Sequence, residues 1–297
     1  MREEQRQSLH FVLRGLIFAG FSLFIVYLVK TDSLQYYIAP RISLYVKWSA
    51  IGLMILAIYQ LFMAIQAGSG ERGCCACDHV PAKSWMKNSC IYALFLLPLA
   101  LGFLMPNRVM GSEIASMKGM NLSPTNMMNT KERTPRDGIR DENDEALKKL
   151  FPADEFTEEY ADLAIRLYKK DVIQIQELGF MERLTAIDLY LDQFLGHRMQ
   201  ISGFVFREEE MKGDKFVVSR MAMQCCSADA APYGIIVQAA KGRNYAEDAW
   251  IEVTGTIRKT NYEGNEVMVL DAEQIEKIKA PKDTYVYPYV KDFATLD

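Results

Sequence analysis

The sequence predicts a membrane α-helical N-terminal part with three spans, followed by a small all-β C-terminal domain with flanking helices. Three long apolar runs lie within the first third of the chain, whereas the remainder is polar and acidic. From residue 196 onward, apolar and polar residues alternate, which is typical of β-strands. These observations divide the chain into a transmembrane domain at 1–105, a linker at 106–144, a helical segment at 145–195, a β domain at 196–280 and a tail at 281–297.

The three predicted spans cover about 9–29, 48–70 and 88–105. Each is long enough for a bilayer, which requires about 20 apolar residues. The second and third spans carry no charge, and the third contains Pro98, which a membrane helix tolerates as a kink. The first run is longer than the apolar core of a signal peptide and no small-residue cleavage site follows it, so we expect a retained helix.

Basic residues indicate the orientation of the spans in the cell membrane. Arginines near the N-terminus and basic residues in the loop after the second span favour a cytoplasmic N-terminus. Basic residues in the loop after the first span oppose it. With the N-terminus inside, three spans make the C-terminal domain extracytoplasmic. The residues concerned are Arg2, Arg6, Arg14, Arg72, Lys83 and Lys87 in favour, and Lys30, Arg41 and Lys47 against.

The segments between the spans and the β domain are polar. The predicted linker is rich in Met, Asn, Thr, Pro and charge and has no periodicity. In the helical segment, Phe180 to Phe194 has apolar residues at helical spacing, which predicts an amphipathic helix that packs on the following domain.

Five alternating runs with polar turns between them predict the strands of the β domain. An OB-like five-stranded barrel fits their number and length, and a five-stranded sandwich is the alternative. Gly203 and Gly255 lie inside strands, as residues at barrel corners do. The runs are His197 to Phe206, Asp214 to Met223, Tyr233 to Ala239, Trp250 to Lys259 and Glu266 to Ala272.

Composition excludes some function classes. The net charge is -4, and the basic residues of the β domain are offset by neighbouring acids, so we expect no nucleic-acid partner. The chain has three histidines and no serine–histidine–acid set, phosphate loop or HExxH motif. We therefore do not expect an enzyme.

Two groups of cysteines are candidate metal ligands. In the loop between the second and third spans, Cys74, Cys75, Cys77 and His79 supply the thiolate and imidazole groups that Zn²⁺ prefers. The spacing differs from the paired CxxC of closed structural zinc sites, which favours a transient metal contact. An exposed loop whose cysteines have no role is an equal alternative.

The second group is Cys225, Cys226 and Asp229, which follow a predicted strand. One thiolate with Asp229, and with His197 as a further ligand, would hold a metal ion or another soft ligand. Alternatively, adjacent cysteines form a strained and labile disulfide. A third interpretation is that one cysteine packs in the barrel and the other has no role.

The sequence resembles the YcgQ-like family of bacterial membrane proteins. The resemblance rests on the run Gly203-Phe204-Val205-Phe206-Arg207 and on the segment RMAMQCCSADA, from Arg220 to Ala230. It implies apolar N-terminal spans, a Cys/His-bearing loop, a linker and a C-terminal domain. It also implies a multi-span membrane permease as partner, and zinc as a candidate ligand.

Three functions remain open from the sequence. The first is a membrane-anchored accessory subunit of a transport system that handles metal ions such as zinc. The second is a thiol redox protein or sensor that uses Cys225 and Cys226. The third is a structural protein that only stabilises its membrane partner.

Overall fold

The computed structural model describes residues 3–69, 85–104, 111–119, 122, 147–208, 211, 214–262 and 264–296. Two compact units divide the chain, Met1–Arg108 and Val109–Asp297. The boundary falls just after the third predicted span.

The first unit contains three long helices, all apolar and long enough to cross a membrane. They are α1 at Glu3–Lys30, α2 at Pro40–Ser69 and α3 at Trp85–Leu104. A short 3-10 turn at Leu34–Tyr36 lies between α1 and α2, and Pro98 lies within α3. These helices confirm the three predicted apolar helices.

Most side chains of these helices face outward from the chain. Within their apolar stretches, only 22% of the residues of α1, 17% of those of α2 and none of those of α3 are buried. In water, so much exposed apolar surface would be strongly unfavourable. A lipid bilayer removes that cost, so the helices are membrane helices.

Small residues spaced by seven form the contact between α1 and the antiparallel α2. The hydroxyl of Ser8 donates to the carbonyl of Ala64 at 2.9 Å, and that of Ser22 donates to the carbonyl of Ala50 at 2.7 Å. Between these two pairs, a Cβ at Gly15 would lie 3.3 Å from the carbonyl oxygen of Ala57. Small residues let two membrane helices approach closely, and interhelical hydrogen bonds add to the packing.

The second unit contains short helices and a mixed seven-stranded sheet. The helices are α4 at Ser112–Lys118, α5 at Glu158–Tyr168, α6 at Phe180–Leu189 and α7 at Leu191–Phe194. The strands are β1 at Val172–Ile175, β2 at Arg198–Phe206, β3 at Lys215–Ala222, β4 at Ala231–Gln238, β5 at Trp250–Tyr262, β6 at Asn265–Lys277 and β7 at Tyr285–Val286.

Five of the strands form a closed circuit of pairings, β2–β5–β6–β4–β3–β2. All of these pairs are antiparallel except β4–β6, which is parallel. The five strands of the circuit coincide in position with the five that the alternating sequence pattern predicts. Each of them has a partner on both sides, so none leaves a free edge along its whole length.

Two glycines allow close backbone approach inside this circuit. A Cβ at Gly255 would lie 2.2 Å from the carbonyl oxygen of Asp271, at the point where the register of β5 and β6 shifts. A Cβ at Gly203 would lie 2.4 Å from the carbonyl oxygen of Ser219 on β3. Any larger residue would force the strands apart at these points.

Two strands were not predicted from the sequence. β1 extends the sheet by parallel pairing with β2, and β7 pairs in parallel with the end of β3. β7 lies in the range predicted as a tail. The end of that range is held by the guanidinium of Arg166, which donates to the carbonyls of Phe293, Ala294 and Leu296. Within the range predicted as a linker, the structure describes α4, whose Ala115 is fully buried.

One apolar core joins the helices to the sheet. Phe180, Leu184 and Ile187 on α6 are buried with residues of the circuit such as Val218 and Val253. The spacing of three and four residues places these α6 side chains on one helix face. The single amphipathic helix predicted at 180–194 is two helices in the structure. The first, α6, begins at Phe180, and the second, α7, ends at Phe194.

We expect that Gly15→Val separates α1 from α2 and lowers the free energy of unfolding by about 1–3 kcal/mol, because a Cβ there already lies 3.2 Å from the side chain of Leu61. The midpoint temperature of unfolding in detergent measures this. The matched control is Gly52→Val on α2, where a Cβ would have no neighbouring atom within 4 Å and stability should not fall. An equal loss in both variants would contradict the role of Gly15 in the helix contact.

Candidate functional site

The candidate site is the loop at 223–230, which joins the antiparallel strands β3 and β4. At its start, the amide of Met223 donates to the carbonyl of Val286 at 2.9 Å, so β7 fixes the base of the loop. Met223 and Ala230 are fully buried and anchor its two ends. The residues between them point out of the domain, since Gln224, Cys225, Ala228 and Asp229 are exposed.

The carboxylate of Asp229 organises the loop. One oxygen accepts the amide of Gln224 at 2.7 Å, and the other accepts the amides of Cys225 at 2.8 Å and Cys226 at 3.1 Å. The amide of Asp229 in turn donates to the carbonyl of Cys226 at 3.0 Å. Short polar side chains such as aspartate favour turns of this kind because they bind nearby backbone amides.

The same carboxylate meets the two thiols. The Sγ atom of Cys225 lies 2.5 Å from Oδ2 of Asp229 and 3.8 Å from the Sγ atom of Cys226. Neither cysteine is in a disulfide. Across the part of the chain that the structure describes, these three residues are the one group of potential metal ligands whose ligand atoms lie within 4.8 Å of one another.

Hydrogen bonding shifts the pKa values of two of these groups in opposite directions. Burial alone would raise the pKa of Asp229, but the hydrogen bonds from the Cys225 thiol and the three amides outweigh it and lower that pKa to about 2. The hydrogen bond to Asp229, followed by that to Cys226, raises the pKa of the Cys225 thiol to about 11. Asp229 is therefore ionised at neutral pH while Cys225 keeps its proton.

The arrangement suits metal binding better than thiol chemistry. A thiol with a raised pKa has little thiolate at neutral pH and is a slow nucleophile. A soft or borderline ion, however, would displace the thiol proton and find two sulfurs and one carboxylate oxygen within reach. The amides that donate to Asp229 would then hold the ligating carboxylate in place, as supporting groups around metal ligands do.

A buried arginine supports the base of the loop. Arg220 on β3 is 1% exposed, and its guanidinium lies 5.0 Å from the ring centre of Trp250. It donates to the carbonyls of Thr284 and Asp283 and to the carboxylate of Glu177. These bonds tie β3 to the segment that forms β7. The sequence pattern did not predict this role, although a charged residue inside an apolar strand was a signal for it.

His197, the further candidate ligand of this group, is not in the cluster. His197 lies before β2, where its ring contacts those of Tyr168 and Phe194 with centres 4.6 Å and 5.7 Å apart. The loop with Cys74, Cys75, Cys77 and His79 lies outside the described residues. A metal contact in that loop therefore stays a prediction.

The fold and the loop define a class of protein: a membrane-anchored protein whose β domain presents two thiols and a carboxylate on an exposed turn. The chain belongs to the DUF1980 family. Residues 13–121 match the DUF1980 N-terminal domain, and residues 150–288 match the DUF1980 C-terminal domain.

Two relatives share nearly the whole length of this chain. The UPF0703 protein YcgQ of Bacillus subtilis (strain 168) is 26% identical over 296 residues, covering 93% of this chain and 99% of the relative. A Streptococcus mutans protein named "Putative two-component membrane permease complex subunit" is 25% identical over 281 residues, with the same shares. The resemblance to the YcgQ-like family is thus confirmed.

We expect that Asp229→Asn speeds alkylation of Cys225 by iodoacetamide at pH 8 about tenfold. Removing the negative acceptor should lower the pKa of Cys225 from about 11 toward its ordinary value. That change raises the thiolate fraction about a hundredfold, and the lower intrinsic nucleophilicity of a more acidic thiolate offsets about tenfold of it. Peptide mass spectrometry gives the rate at each cysteine.

Cys90 is the internal control, because it lies in the other unit and its rate should not change. An unchanged rate at Cys225 in the Asp229→Asn variant would contradict the hydrogen bond between its thiol and the carboxylate.

Proposed function

We propose that the protein is the membrane-anchored accessory subunit of a two-component permease complex, and that its β domain binds a metal ion such as zinc at Cys225, Cys226 and Asp229. The observation that carries the proposal is the grouping of two sulfurs and one carboxylate on an exposed loop, with all ligand atoms within 4.8 Å of one another.

The spacing of the sulfurs fits a tetrahedral ion. Two sulfurs that each lie about 2.3 Å from Zn²⁺ at a tetrahedral angle are about 3.8 Å apart. The observed separation of the two Sγ atoms is 3.8 Å. The Cys225 sulfur and the Asp229 oxygen would move apart as the ion replaces the thiol proton between them.

Three protein ligands leave a fourth position open. Structural zinc sites are closed by four protein ligands, whereas sites with three keep an exchangeable position. The exposure of Cys225 and Asp229 makes that position accessible from solvent. The site would therefore capture and release an ion instead of storing it, which suits a subunit that serves transport.

The permease role rests on the relative and on the helices. The Streptococcus mutans relative is named as a subunit of a two-component membrane permease complex. The apolar side chains of α1, α2 and α3 are mostly not buried within this chain, so they are available to the helices of a multi-span partner as well as to lipid. Purification of the tagged protein from its own membranes should yield such a partner, and a consistently solitary chain would contradict this part of the proposal.

We further propose that the circuit of five strands is an OB-like barrel. The order of pairings supports this assignment over a sandwich, with one parallel pair between β4 and β6, which are the third and fifth of these strands in chain order. Gly255 at the register shift also suits a barrel corner. An experimental structure in which β2 and β3 are unpaired would contradict it.

We also propose that the β domain lies outside the cytoplasm. Three spans support this side together with the basic residues near the N-terminus and after the second span, which favour a cytoplasmic N-terminus, while those between the first two spans oppose it. A membrane-impermeant maleimide should label Cys225 in intact cells. Labelling that requires lysis would place the domain on the opposite side.

Thiol redox chemistry is the second candidate function, and one observation favours it: the two sulfurs are adjacent in the chain, free and 3.8 Å apart. The raised pKa of Cys225 argues for the metal instead, because thiol–disulfide exchange begins with a thiolate.

A purely structural role predicts that Cys225→Ser and Cys226→Ser variants keep full function.

We expect the purified full-length protein to bind Zn²⁺, and the apparent affinity to rise at least about tenfold per pH unit between pH 7 and pH 8. Cys225 is protonated in this range, since its pKa is about 11, so binding releases its proton and higher pH favours the bound state. Asp229, with a pKa of about 2, is ionised throughout and adds no pH dependence. Competition with a chelator of known affinity measures the constant.

The matched variants separate this site from other cysteines. Replacement of Cys225 and Cys226 by serine should abolish the site, while replacement of Cys74, Cys75, Cys77 and Cys90 by serine should leave it intact. Equal zinc content in the wild-type protein and the Cys225→Ser, Cys226→Ser variant would remove the proposed site.

A further inference from the structure

The short helix α4 is bound to the rest of the second unit at both of its ends. It lies between the third membrane helix, which ends at Leu104, and the rest of the β domain in the chain. It contacts strands β2 and β4, and its Ala115 is fully buried. The helix α4 is therefore held against the rest of the domain.

The start of α4 is held by Asp248. The carboxylate of Asp248 accepts the amide of Ser112 at 2.7 Å and its hydroxyl at 2.8 Å. Asp248 adopts a positive φ of 60°, a conformation that aspartate tolerates better than most residues. A carboxylate at the first amide of a helix is favourable because it accepts a bond that no residue within the helix supplies.

The end of α4 is held by the candidate metal loop. The ammonium group of Lys118 donates to the carbonyl of Ala228 at 2.9 Å and to that of Ala230 at 2.5 Å. These two carbonyls belong to the residues on either side of Asp229. The backbone that carries the carboxylate ligand is thus fixed by a lysine from α4, while the carboxylate itself is fixed by the amides of the loop.

We infer that Lys118 couples the occupancy of the Cys225–Cys226–Asp229 site to the docking of α4. This inference rests on the proposed metal site and adds the element that responds to it. An ion at the site would restrain Asp229 and, with it, the carbonyls of Ala228 and Ala230, so α4 would be held more tightly. Lys118 is a positioning residue, since it reaches the site through the backbone on either side of Asp229.

Thermodynamic linkage makes this coupling reciprocal. If zinc strengthens the docking of α4 by some factor, docked α4 must strengthen zinc binding by the same factor. Two independent measurements, one at the loop and one at the helix, must therefore agree. A lysine that only supported the fold would not produce this agreement.

The experiment uses the full-length protein in detergent micelles, with Zn²⁺ as the probe. Zinc affinity is measured by chelator competition, and hydrogen exchange of peptides covering α4 is measured with and without zinc. The variant is Lys118→Gln. The control is Lys279→Gln, which removes the same charge from an exposed lysine that has no side-chain hydrogen bond among the described residues.

In the wild-type protein, zinc should slow hydrogen exchange in α4. Lys118→Gln should weaken zinc binding about fivefold, within the usual range of coupling between sites, and should remove the effect of zinc on α4. Lys118→Arg should restore part of both effects, and Lys279→Gln should behave as the wild type. Peptides from β4 serve as the folding control, and if Lys118→Gln fails to fold, the response of wild-type α4 to zinc decides alone.

Zinc binding that is lost in the Cys225→Ser, Cys226→Ser variant but leaves α4 exchange unchanged in the wild-type protein would overturn the coupling and leave the metal site standing. Equal zinc affinity in the wild type and in Lys118→Gln would do the same. Absence of zinc binding to the wild type would overturn the proposed metal site and the coupling together.

Discussion

The geometry of the candidate site depends on one side chain, the carboxylate of Asp229. It accepts three backbone amides and the thiol of Cys225, and so it turns a connection between two strands into a defined loop. Adjacent residues in an extended strand point to opposite faces, and two neighbouring sulfurs there would face apart. Because the loop leaves the extended conformation at this point, both sulfurs lie near one carboxylate.

Local sequence patterns were sufficient to predict the membrane helices and the five strands of the circuit, because the environment of each is recorded in its own residues. The apolar length of the spans follows from the thickness of the bilayer, and the alternation along the first part of β5 follows from one buried and one less buried face. The grouping of Cys225, Cys226 and Asp229 could also be predicted from sequence, since they lie within five positions of one another, while their role as metal ligands stays a prediction.

Contacts between distant parts of the chain could not be predicted in this way. β7 is two residues long, too short for any periodicity, and it is a strand only because β3 offers it a partner. The docking of α4 depends on Asp248 and on carbonyls of the loop at 223–230, which are more than 100 positions away in the chain. A charge inside an apolar strand marks Arg220 as unusual, but nothing local shows that its guanidinium meets Trp250 and the backbone of residues 283 and 284.

The pairing of β7 with the end of β3 also sets an order of assembly. The ribosome makes both cysteines of the loop before it makes Tyr285 and Val286, whose strand fixes the base of that loop. A growing polypeptide therefore contains its two neighbouring thiols before the strand that fixes the base of their loop is available for pairing. The base of the loop can be completed only after nearly the whole chain has been made.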